Sequence, residues 1–315
     1  MCCSTDIAPP PLATDYPPRN PGQALDLGWL DSVQVDDAAM EAETAEIDAS
    51  CNNAGTHHAA WLLRAIQCMD LTTLSGDDTP ERVEALCQTA RAPLPAELAE
   101  KHGAGGLTVG AVCVYHAMIP TALAALDGTG IPVAAVSAGF PAGLSSPRAR
   151  VAEVEDSTAA GATEIDIVIP RYLALSGDWP ALYEDIRALR RACGDAHLKC
   201  ILSVGELGDL TTVARTSLTA MMAGADVVKT STGKEATNAT LPAALTMLDT
   251  IEAYHQATGH QIGFKPAGGI STARAALPYM AATHARLGPD WLQPTLFRFG
   301  ASSLLKDIRA TLAAS

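Results

Sequence analysis

Lysines in apolar segments are the strongest chemical signal in this sequence. The stretch Asp226-Val-Val-Lys229-Thr-Ser-Thr-Gly233-Lys234 reads as a buried strand followed by a loop, and it holds two of the chain's six lysines. A charged amine in an apolar strand is costly, whereas an amine with a lowered pKa becomes a nucleophile toward carbonyl groups. For one isolated lysine, a structural salt bridge would be the commoner explanation.

Strand alternation directs further reactive side chains into the same interior. Residues i, i+2 and i+4 of a strand share one face, and the apolar residues between them mark the outward face. Six strands thereby send polar or reactive groups inward, namely Asp70, Thr72, Cys113, Asp166, Lys199, Lys229 and Lys265. The interior of a parallel barrel is normally filled by branched apolar residues. The convergence of three lysines and two aspartates therefore predicts an active site and not a set of satisfied core polar residues.

Eight short apolar segments, about 30 residues apart, would position these side chains. The predicted strands are 67–72, 109–115, 132–138, 164–169, 198–203, 226–231, 262–267 and 296–300. Helices between them have clear start signals at Thr79-Pro80, Ser146-Pro147, Asp178 and Thr240. Eight successive βα units predict an α/β fold, a closed (β/α)8 TIM barrel. A doubly wound open sheet is the alternative, although no Gly-x-Gly-x-x-Gly motif follows the first strand.

The chain before the barrel is predicted to be a separate extension. Residues 1–56 form this N-terminal extension and residues 57–315 the barrel domain. The first 22 residues are rich in proline and poor in large apolar groups, which predicts disorder. Residues 25–46 carry apolar side chains such as Trp29 and Leu30 and are expected to pack onto the main domain.

Three loops after the last strands have the features of a phosphate site. Ser231-Thr-Gly233-Lys234 follows the sixth predicted strand, Gly268-Gly269 the seventh, and Gly300-Ala-Ser302-Ser303 the eighth. Barrels often bind phosphate with such loops and a helix N-terminus, because glycines admit close approach and backbone N–H groups donate. Ordinary tight turns are the alternative. The Gly233-Lys234 pair does not complete a nucleotide-binding P-loop, since Glu235 stands where that motif has Ser or Thr.

Composition excludes several classes of function. The net charge of −14 and the pI near 4.9 argue against binding to nucleic acid or an anionic membrane surface. The eight cysteines form no Cys-x-x-Cys pair, which favours reduced thiols in a cytoplasmic protein. No metal-ligand motif, secretory signal or membrane span is predicted. The oligomeric state is left open, with a homodimer among the alternatives.

Taken together, these segments resemble the deoxyribose-phosphate aldolase family of class I, Schiff-base aldolases, in its longer animal-type form. The resemblance extends from about Trp61 to the end of the chain. It rests on motifs that include 69–73, 111–115, 140–143, 164–168, 205–208, 228–234, 263–269 and 298–303. The Lys-Thr-Ser-Thr-Gly-Lys and Phe-Lys-Pro-Ala-Gly-Gly motifs are the most specific. Ser271 departs from the family, since many members have arginine there.

The resemblance implies roles for particular residues. Lys229 matches the Schiff-base lysine, Lys265 the lysine that tunes it, and Asp166 the carboxylate that transfers protons. Asp70, Thr72, Cys113 and Lys199 are expected to complete the hydrogen-bond network. Six residues match the phosphate-binding positions: Gly233, Lys234, Gly268, Gly269, Ser302 and Ser303. The implied substrate is 2-deoxy-D-ribose 5-phosphate, cleaved to glyceraldehyde 3-phosphate and acetaldehyde in deoxyribonucleoside catabolism, with no metal or organic cofactor.

The residues suit this chemistry on physical grounds. An unperturbed lysine is neutral in only about one molecule in 2,500 at pH 7. Burial and the like charge of Lys265 both push the pKa of Lys229 down, which frees its amine to attack a carbonyl. Two alternatives remain open at this stage. One is a Schiff-base barrel lyase for another phosphosugar, and the other is a non-catalytic barrel with a binding or scaffold role.

Overall fold

Eight parallel strands form the centre of the molecule. The protein is described here by a computed structural model, which covers residues 8–12, 16–51 and 58–315. The strands are β1 (Met69–Thr72), β2 (Ala111–Tyr115), β3 (Val133–Ser137), β4 (Glu164–Val168), β5 (His197–Ile201), β6 (Val227–Lys229), β7 (Gly263–Lys265) and β8 (Phe299–Ala301). They are hydrogen-bonded in the order β7-β6-β5-β4-β3-β2-β1-β8. Parallel bridges Phe264–Phe297 and Ala267–Gly300 join the two ends, so the sheet closes and the predicted (β/α)8 barrel is confirmed.

The strand register places the reactive residues side by side. Asp166 of β4 is paired with Lys199 of β5, and Lys229 of β6 is paired with Lys265 of β7. Partners in a parallel register point to the same side of the sheet. The flanking residues Val228 and Phe264 belong instead to the apolar core between the strands and the helices.

Thirteen α-helices are found in the described part of the chain, most of them around the barrel. They are α1 (Leu27–Ser32), α2 (Asp37–Ser50), α3 (His58–Gln67), α4 (Pro80–Arg91), α5 (Ala96–Lys101), α6 (Ile119–Ala125), α7 (Pro147–Ala159), α8 (Arg171–Leu175), α9 (Trp179–Ala192), α10 (Leu210–Met222), α11 (Leu241–Thr258), α12 (Ala273–Leu287) and α13 (Leu304–Ala314). Four predicted starts are confirmed, because Thr79, Ser146, Asp178 and Thr240 each cap a helix by accepting a backbone N–H. Within the described ranges, no helix has both the length and the apolar character needed to cross a membrane.

The N-terminal part packs onto the barrel as expected. Leu30 of α1 is fully buried, and Glu43 of α2 forms a 2.6 Å ion pair with Arg286 of α12. The prediction of disorder over the first 22 residues is wrong for residues 16–22. There Asn20 is only 3% exposed and its side chain donates to the carbonyls of Met221 and Ala225. The apolar content of these residues is low, but their backbone and polar side chains find partners on the barrel.

The remaining parts of the domain prediction fall outside the described residues. Residues 1–7 and 13–15 lie outside the described ranges, so the disorder prediction is left standing there. The predicted boundary between extension and barrel, at residues 56 and 57, also falls in an undescribed segment, 52–57. The boundary therefore stays a prediction.

Candidate active site

A cluster of ionisable side chains fills the centre of the barrel. Within the described residues its members, named here the ion cluster, are Asp70, Glu164, Asp166, Lys199, Lys229, Lys265 and Arg298. No side chain of the cluster is more than 4% exposed. Such groups are costly to bury unless they are paired, so their pairing decides the chemistry available here.

Lys229 and Lys265 share one carboxylate oxygen. Lys229 Nζ donates to Asp166 Oδ2 at 2.7 Å, and Lys265 Nζ donates to the same oxygen at 2.7 Å. Lys265 also pairs with Asp70, whereas the ion pair with Asp166 is the only one recorded for Lys229 in the described chain. The two amines are therefore close neighbours, but Lys265 contacts two carboxylates and Lys229 contacts one.

Lys199 and Arg298 hold the other carboxylate oxygens. Lys199 Nζ lies 2.9 Å from Asp166 Oδ1, 2.5 Å from Glu164 Oε2 and 3.2 Å from Asp70 Oδ2. Arg298 donates to Glu164 Oε1 at 2.8 Å and also pairs with Asp70. Each of these two cations therefore has at least two carboxylate partners.

The charges of the ion cluster balance only if one lysine is neutral. Four basic groups face three carboxylates, so full protonation would leave one uncompensated positive charge in the barrel interior. A buried uncompensated charge costs several kcal/mol, and the usual response is loss of the proton. Lys229 is the basic group with the fewest carboxylate contacts. It is therefore the one expected to be a free amine.

The pKa shifts follow from the same contacts. Burial lowers the pKa of Lys229, and the charge of Lys265 adds to this effect against the attraction of Asp166. Burial also acts on Lys265, but there Asp166 and Asp70 together raise the pKa above its ordinary value. The pKa values of the two lysines are thus shifted in opposite directions.

The carboxylates of the ion cluster stay ionised. Burial alone would raise their pKa values. For Asp166, however, Lys199, Lys229 and Lys265 outweigh burial and hold the pKa well below its usual range. Arg298, Lys199 and Lys265 lower the pKa of Asp70 in the same way. Asp166 is therefore available as a proton acceptor next to the Lys229 amine.

A cavity of about 310 Å³ opens from Lys229 to the loops after β6, β7 and β8. Its lining includes Thr72 and all six residues predicted to bind phosphate, which are Gly233, Lys234, Gly268, Gly269, Ser302 and Ser303. Gly268 has φ of +81°, and a Cβ atom there would lie 2.6 Å from the side chain of Asn238. Glycine is required at this position because no larger residue fits either the backbone conformation or the space.

Unpaired backbone donors surround this cavity on one side. The backbone N–H groups of Gly269, Ser302 and Ser303 have no protein acceptor within the described ranges. Ser303 precedes α13, so the N–H groups of Ser302 and Ser303 lie at a helix N-terminus, where anions bind favourably. Lys234 is exposed at the rim of the cavity and supplies a positive charge.

The loop after β6 differs from the sequence-based expectation. The backbone N–H groups of Thr232, Gly233 and Lys234 were expected to donate to phosphate, but all three donate to the Glu235 carboxylate at 3.1 to 3.2 Å. The carboxylate occupies the concave side of the loop because three adjacent N–H groups attract an anion. This loop can therefore contribute the Lys234 side chain to an anion, while its N–H groups are already satisfied.

The other predicted network residues lie beside the ion cluster. Thr72 lines the cavity and its hydroxyl donates to the Asp70 carbonyl at 2.7 Å. Cys113 is fully buried among Val136, Tyr115 and Phe140. Burial raises the pKa of its thiol, so it stays protonated and forms part of a largely apolar wall.

Sequence reasoning missed four residues that shape the site. Glu164 and Arg298 belong to the ion cluster, and strand alternation could have identified both, because residues two apart on a strand face the same side. Glu164 lies two residues before Asp166, and Arg298 lies two residues before Gly300, which lines the cavity. Glu235 follows the phosphate-loop motif directly, but its fold back onto the loop has no clear sequence signal. Tyr16 donates to Glu164 at 2.8 Å across 148 residues of sequence, which no local pattern predicts.

Comparison with known proteins places the chain among aldolases. A family model described as DeoC/LacD family aldolase matches residues 64–309. The chain is 50% identical to the deoxyribose-phosphate aldolase of Mus musculus, over 91% of this chain and 92% of that protein. It is 48% identical to the Homo sapiens protein of the same name, over 92% of each. A tetrameric deoxyribose phosphate aldolase from Aeropyrum pernix has a TM-score of 0.62 at 22% identity, covering 81% of this chain and 93% of that one, which supports the fold.

Proposed function

The chain belongs to the DeoC/LacD family of aldolases, and from this premise we propose that Lys229 is its Schiff-base lysine. The activity is that of a class I deoxyribose-phosphate aldolase, a lyase that reversibly cleaves 2-deoxy-D-ribose 5-phosphate into D-glyceraldehyde 3-phosphate and acetaldehyde. The assignment of individual residues to steps of this reaction is our proposal.

One observation carries the assignment of Lys229. It is the basic group with a single carboxylate contact in an ion cluster of four basic groups and three carboxylates. Burial and the neighbouring Lys265 lower its pKa, and it faces the cavity whose far end can hold an anion. A neutral amine at that position is a nucleophile aimed at a bound sugar phosphate.

The reaction follows from this geometry. The Lys229 amine adds to C1 of the open-chain sugar, and loss of water gives an iminium ion. The C3 hydroxyl then gives up its proton and the C2–C3 bond breaks, so that its electron pair is taken up as the enamine. Protonation of C2 and hydrolysis release acetaldehyde and restore the amine. Asp166 Oδ2 lies 2.7 Å from the lysine nitrogen, so we assign to it the proton transfers at that nitrogen.

The substrate phosphate is proposed to bind at the other end of the cavity. The donors that support this assignment are the N–H groups of Gly269, Ser302 and Ser303 and the ammonium group of Lys234, while Gly268 lines the same cavity. Holding the phosphate there fixes the distance between the aldehyde and Lys229. This positioning lowers the entropic barrier to attack by the amine.

Reductive trapping tests the assignment directly. Borohydride added with acetaldehyde should attach one ethyl group to Lys229, located by peptide mass spectrometry, and acetaldehyde release from deoxyribose 5-phosphate should be lost in Lys229→Arg. Arginine keeps the charge but is not nucleophilic at neutral pH. Lys306→Arg, on α13, is the matched control and should keep both activity and label. Ethyl groups found on Lys234 or Lys265 instead would overturn the assignment.

Two broader properties remain part of the proposal. A cytoplasmic location is supported by the buried free cysteines of the described chain, since such thiols suit a reducing compartment; they are Cys68, Cys87, Cys113, Cys193 and Cys200. A homodimer is proposed as the oligomeric state and can be measured by sedimentation equilibrium. A monomer or a tetramer in that experiment would replace it.

A further inference from the structure

Residues 16–22, named here the amino-end segment, lie against the end of the barrel opposite the cavity. The Tyr16 hydroxyl donates to Glu164 Oε1 at 2.8 Å and accepts from Arg298 Nη2 at 2.9 Å. Its ring also lies 4.1 Å from the ring of His197, between centroids. A side chain from the extension therefore contacts two members of the ion cluster directly.

The amino-end segment is fixed by further bonds to the barrel. The Asn20 backbone N–H donates to Asp226 Oδ1 at 2.8 Å, and the hydroxyl of Tyr183 donates to the carbonyl of Gln23, the residue after the segment, at 2.6 Å. Gly22 has φ of +68°, and a Cβ atom there would lie 2.5 Å from the Met222 carbonyl oxygen. These contacts hold Tyr16 in one place relative to the strands.

Tyr16 also lies between solvent and the ion cluster. An open cavity of about 1160 Å³ and a much smaller pocket of about 10 Å³ are both lined by Tyr16, Glu164 and His197. The smaller pocket additionally reaches Lys199 and Arg298. Removal of the Tyr16 ring would join the two spaces and admit water to those charges, whose interactions water would weaken.

A short chain of contacts connects Tyr16 to the reacting lysine. Glu164 holds Lys199 at 2.5 Å, and Lys199 in turn holds Asp166 Oδ1 at 2.9 Å, while the other oxygen of Asp166 contacts Lys229. Each link is a charge-assisted hydrogen bond between buried groups, which is the strong and directional kind. A change at Glu164 therefore alters how strongly Asp166 attracts Lys229.

We infer that Tyr16 is a positioning residue of the aldolase site. Its ring covers the end of the barrel opposite the cavity, and its hydroxyl holds the Glu164–Arg298 pair in place. Glu164 in turn keeps Lys199 in contact with Asp166. The inference rests on the proposed role of Lys229 and deepens it. It gives the N-terminal extension a part in catalysis, although the extension does not touch substrate.

The direction of the effect follows from the charges around both groups. The charged and titratable groups around Tyr16 are Glu164 of β4, His197 and Lys199 of β5, Arg298, and Arg19 on its own segment. The ring of His197 is neutral, because burial lowers its pKa to about 3. If Lys199 relaxes toward entering water, Asp166 loses a cationic partner and attracts the proton of Lys229 more strongly. Lys265 and Cys113 are the other ionisable groups that face Lys229, and neither contacts Tyr16 in the described structure. The proton should then stay on Lys229 to higher pH.

The test compares three variants in pH profiles of acetaldehyde release. Tyr16→Ala should lower kcat about tenfold or more at pH 7 and move the acidic limb of the kcat profile upward by about one pH unit. Tyr16→Phe, which keeps the ring and loses only the hydroxyl bonds, should show the same shift at roughly half the size. KM for deoxyribose 5-phosphate should stay within about twofold in both variants, because the phosphate loops lie at the opposite end of the barrel.

Tyr183→Phe is the matched control. It loosens the same stretch of chain at Gln23 without touching the ion cluster, so its acidic limb should superpose on that of the unchanged protein. A lower kcat with an unshifted limb in Tyr16→Phe would overturn the inference and leave a purely structural role. A change in KM instead of kcat would overturn it equally. Tyr16→Phe keeps the test valid if Tyr16→Ala does not fold, and acetaldehyde release by the unchanged protein tests the proposed function separately.

Discussion

Replacing Lys265 with leucine tests the central electrostatic argument about this site. The substitution keeps a similar aliphatic stem and removes one positive charge next to Lys229. Three basic groups would then face three carboxylates, so the ion cluster would be balanced with Lys229 protonated. In Lys265→Leu, the Lys229 amine is therefore expected to stay protonated to higher pH.

The size of the effect can be worked out from the contacts. Both amines lie 2.7 Å from Asp166 Oδ2, so their nitrogens are at most twice that distance, about 5.4 Å, apart. At an effective dielectric constant of about 20, two like charges at that separation repel by about 3 kcal/mol, equivalent to about two pKa units. Loss of Lys265 also leaves Asp166 with one cation fewer, which acts in the same direction.

The assay is kcat/KM for acetaldehyde release from about pH 5.5 to about pH 10, a range that brackets both limbs. The acidic limb of Lys265→Leu should move upward by about two units, with a loss of roughly 100-fold at neutral pH that is partly recovered at high pH. Lys234→Leu is the control, since this exposed lysine lies five residues from Lys229 and outside the ion cluster. It should raise KM and leave the limb in place.

An unchanged acidic limb in Lys265→Leu would refute this reasoning. Burial alone would then account for the lowered pKa of Lys229, and the charge of Lys265 would have no tuning role. A loss of activity that is equal at all pH values would point to the same conclusion, because Lys265 would then act only by binding or relaying.

Three further measurements follow from the structure. Ser302→Glu should raise KM for deoxyribose 5-phosphate at least tenfold and spare unphosphorylated deoxyribose, and equal losses on both would place the phosphate elsewhere. Lys199→Met removes one cationic partner from each of three buried carboxylates and should lower the free energy of unfolding in urea by roughly 3–5 kcal/mol; a change below about 1 kcal/mol would contradict the buried pairing. Asp70 and Asp166 have lowered pKa values, because nearby cations outweigh burial. Their contribution to the free energy of unfolding is present above about pH 4, the ordinary pKa of an aspartate in the unfolded chain, and is lost as pH falls below that value. Tm should therefore decrease below about pH 4, and a Tm that does not change there would contradict the lowered pKa values.

The parts of this protein that follow from local sequence were predictable. The inward direction of Asp166, Lys199 and Lys229 depends only on alternation along each strand, which every strand obeys. The helix starts at Thr79 and Thr240 depend on one polar side chain and the next three residues. The spacing of strand and helix then favoured a parallel barrel, because eight βα units follow one another without interruption and no dinucleotide-binding motif follows the first strand.

The pairing inside the barrel was decided by the tertiary structure. The lysine and aspartate of the Lys265–Asp70 pair are 195 residues apart, and Tyr16 and Arg298 are 282 residues apart. Local patterns could place each charge in the interior, but the number of carboxylates that each amine contacts depends on strand register and on how the barrel closes. That number distinguishes Lys229 from Lys265 and Lys199.

The amino-end segment and Glu235 show the same limit. A proline-rich stretch with few apolar residues predicts disorder, because local composition gives no hint of distant polar partners. Residues 16–22 are nevertheless placed by bonds to β4, to the Arg298 side chain and to the end of α10. The Glu235 carboxylate accepts hydrogen bonds from N–H groups of its own loop, which the sequence motif had predicted to bind phosphate. The sequence determined which side chains reach the interior and the loops, and only the folded chain determined which partners satisfy them, since burial makes every unpaired charge or donor costly.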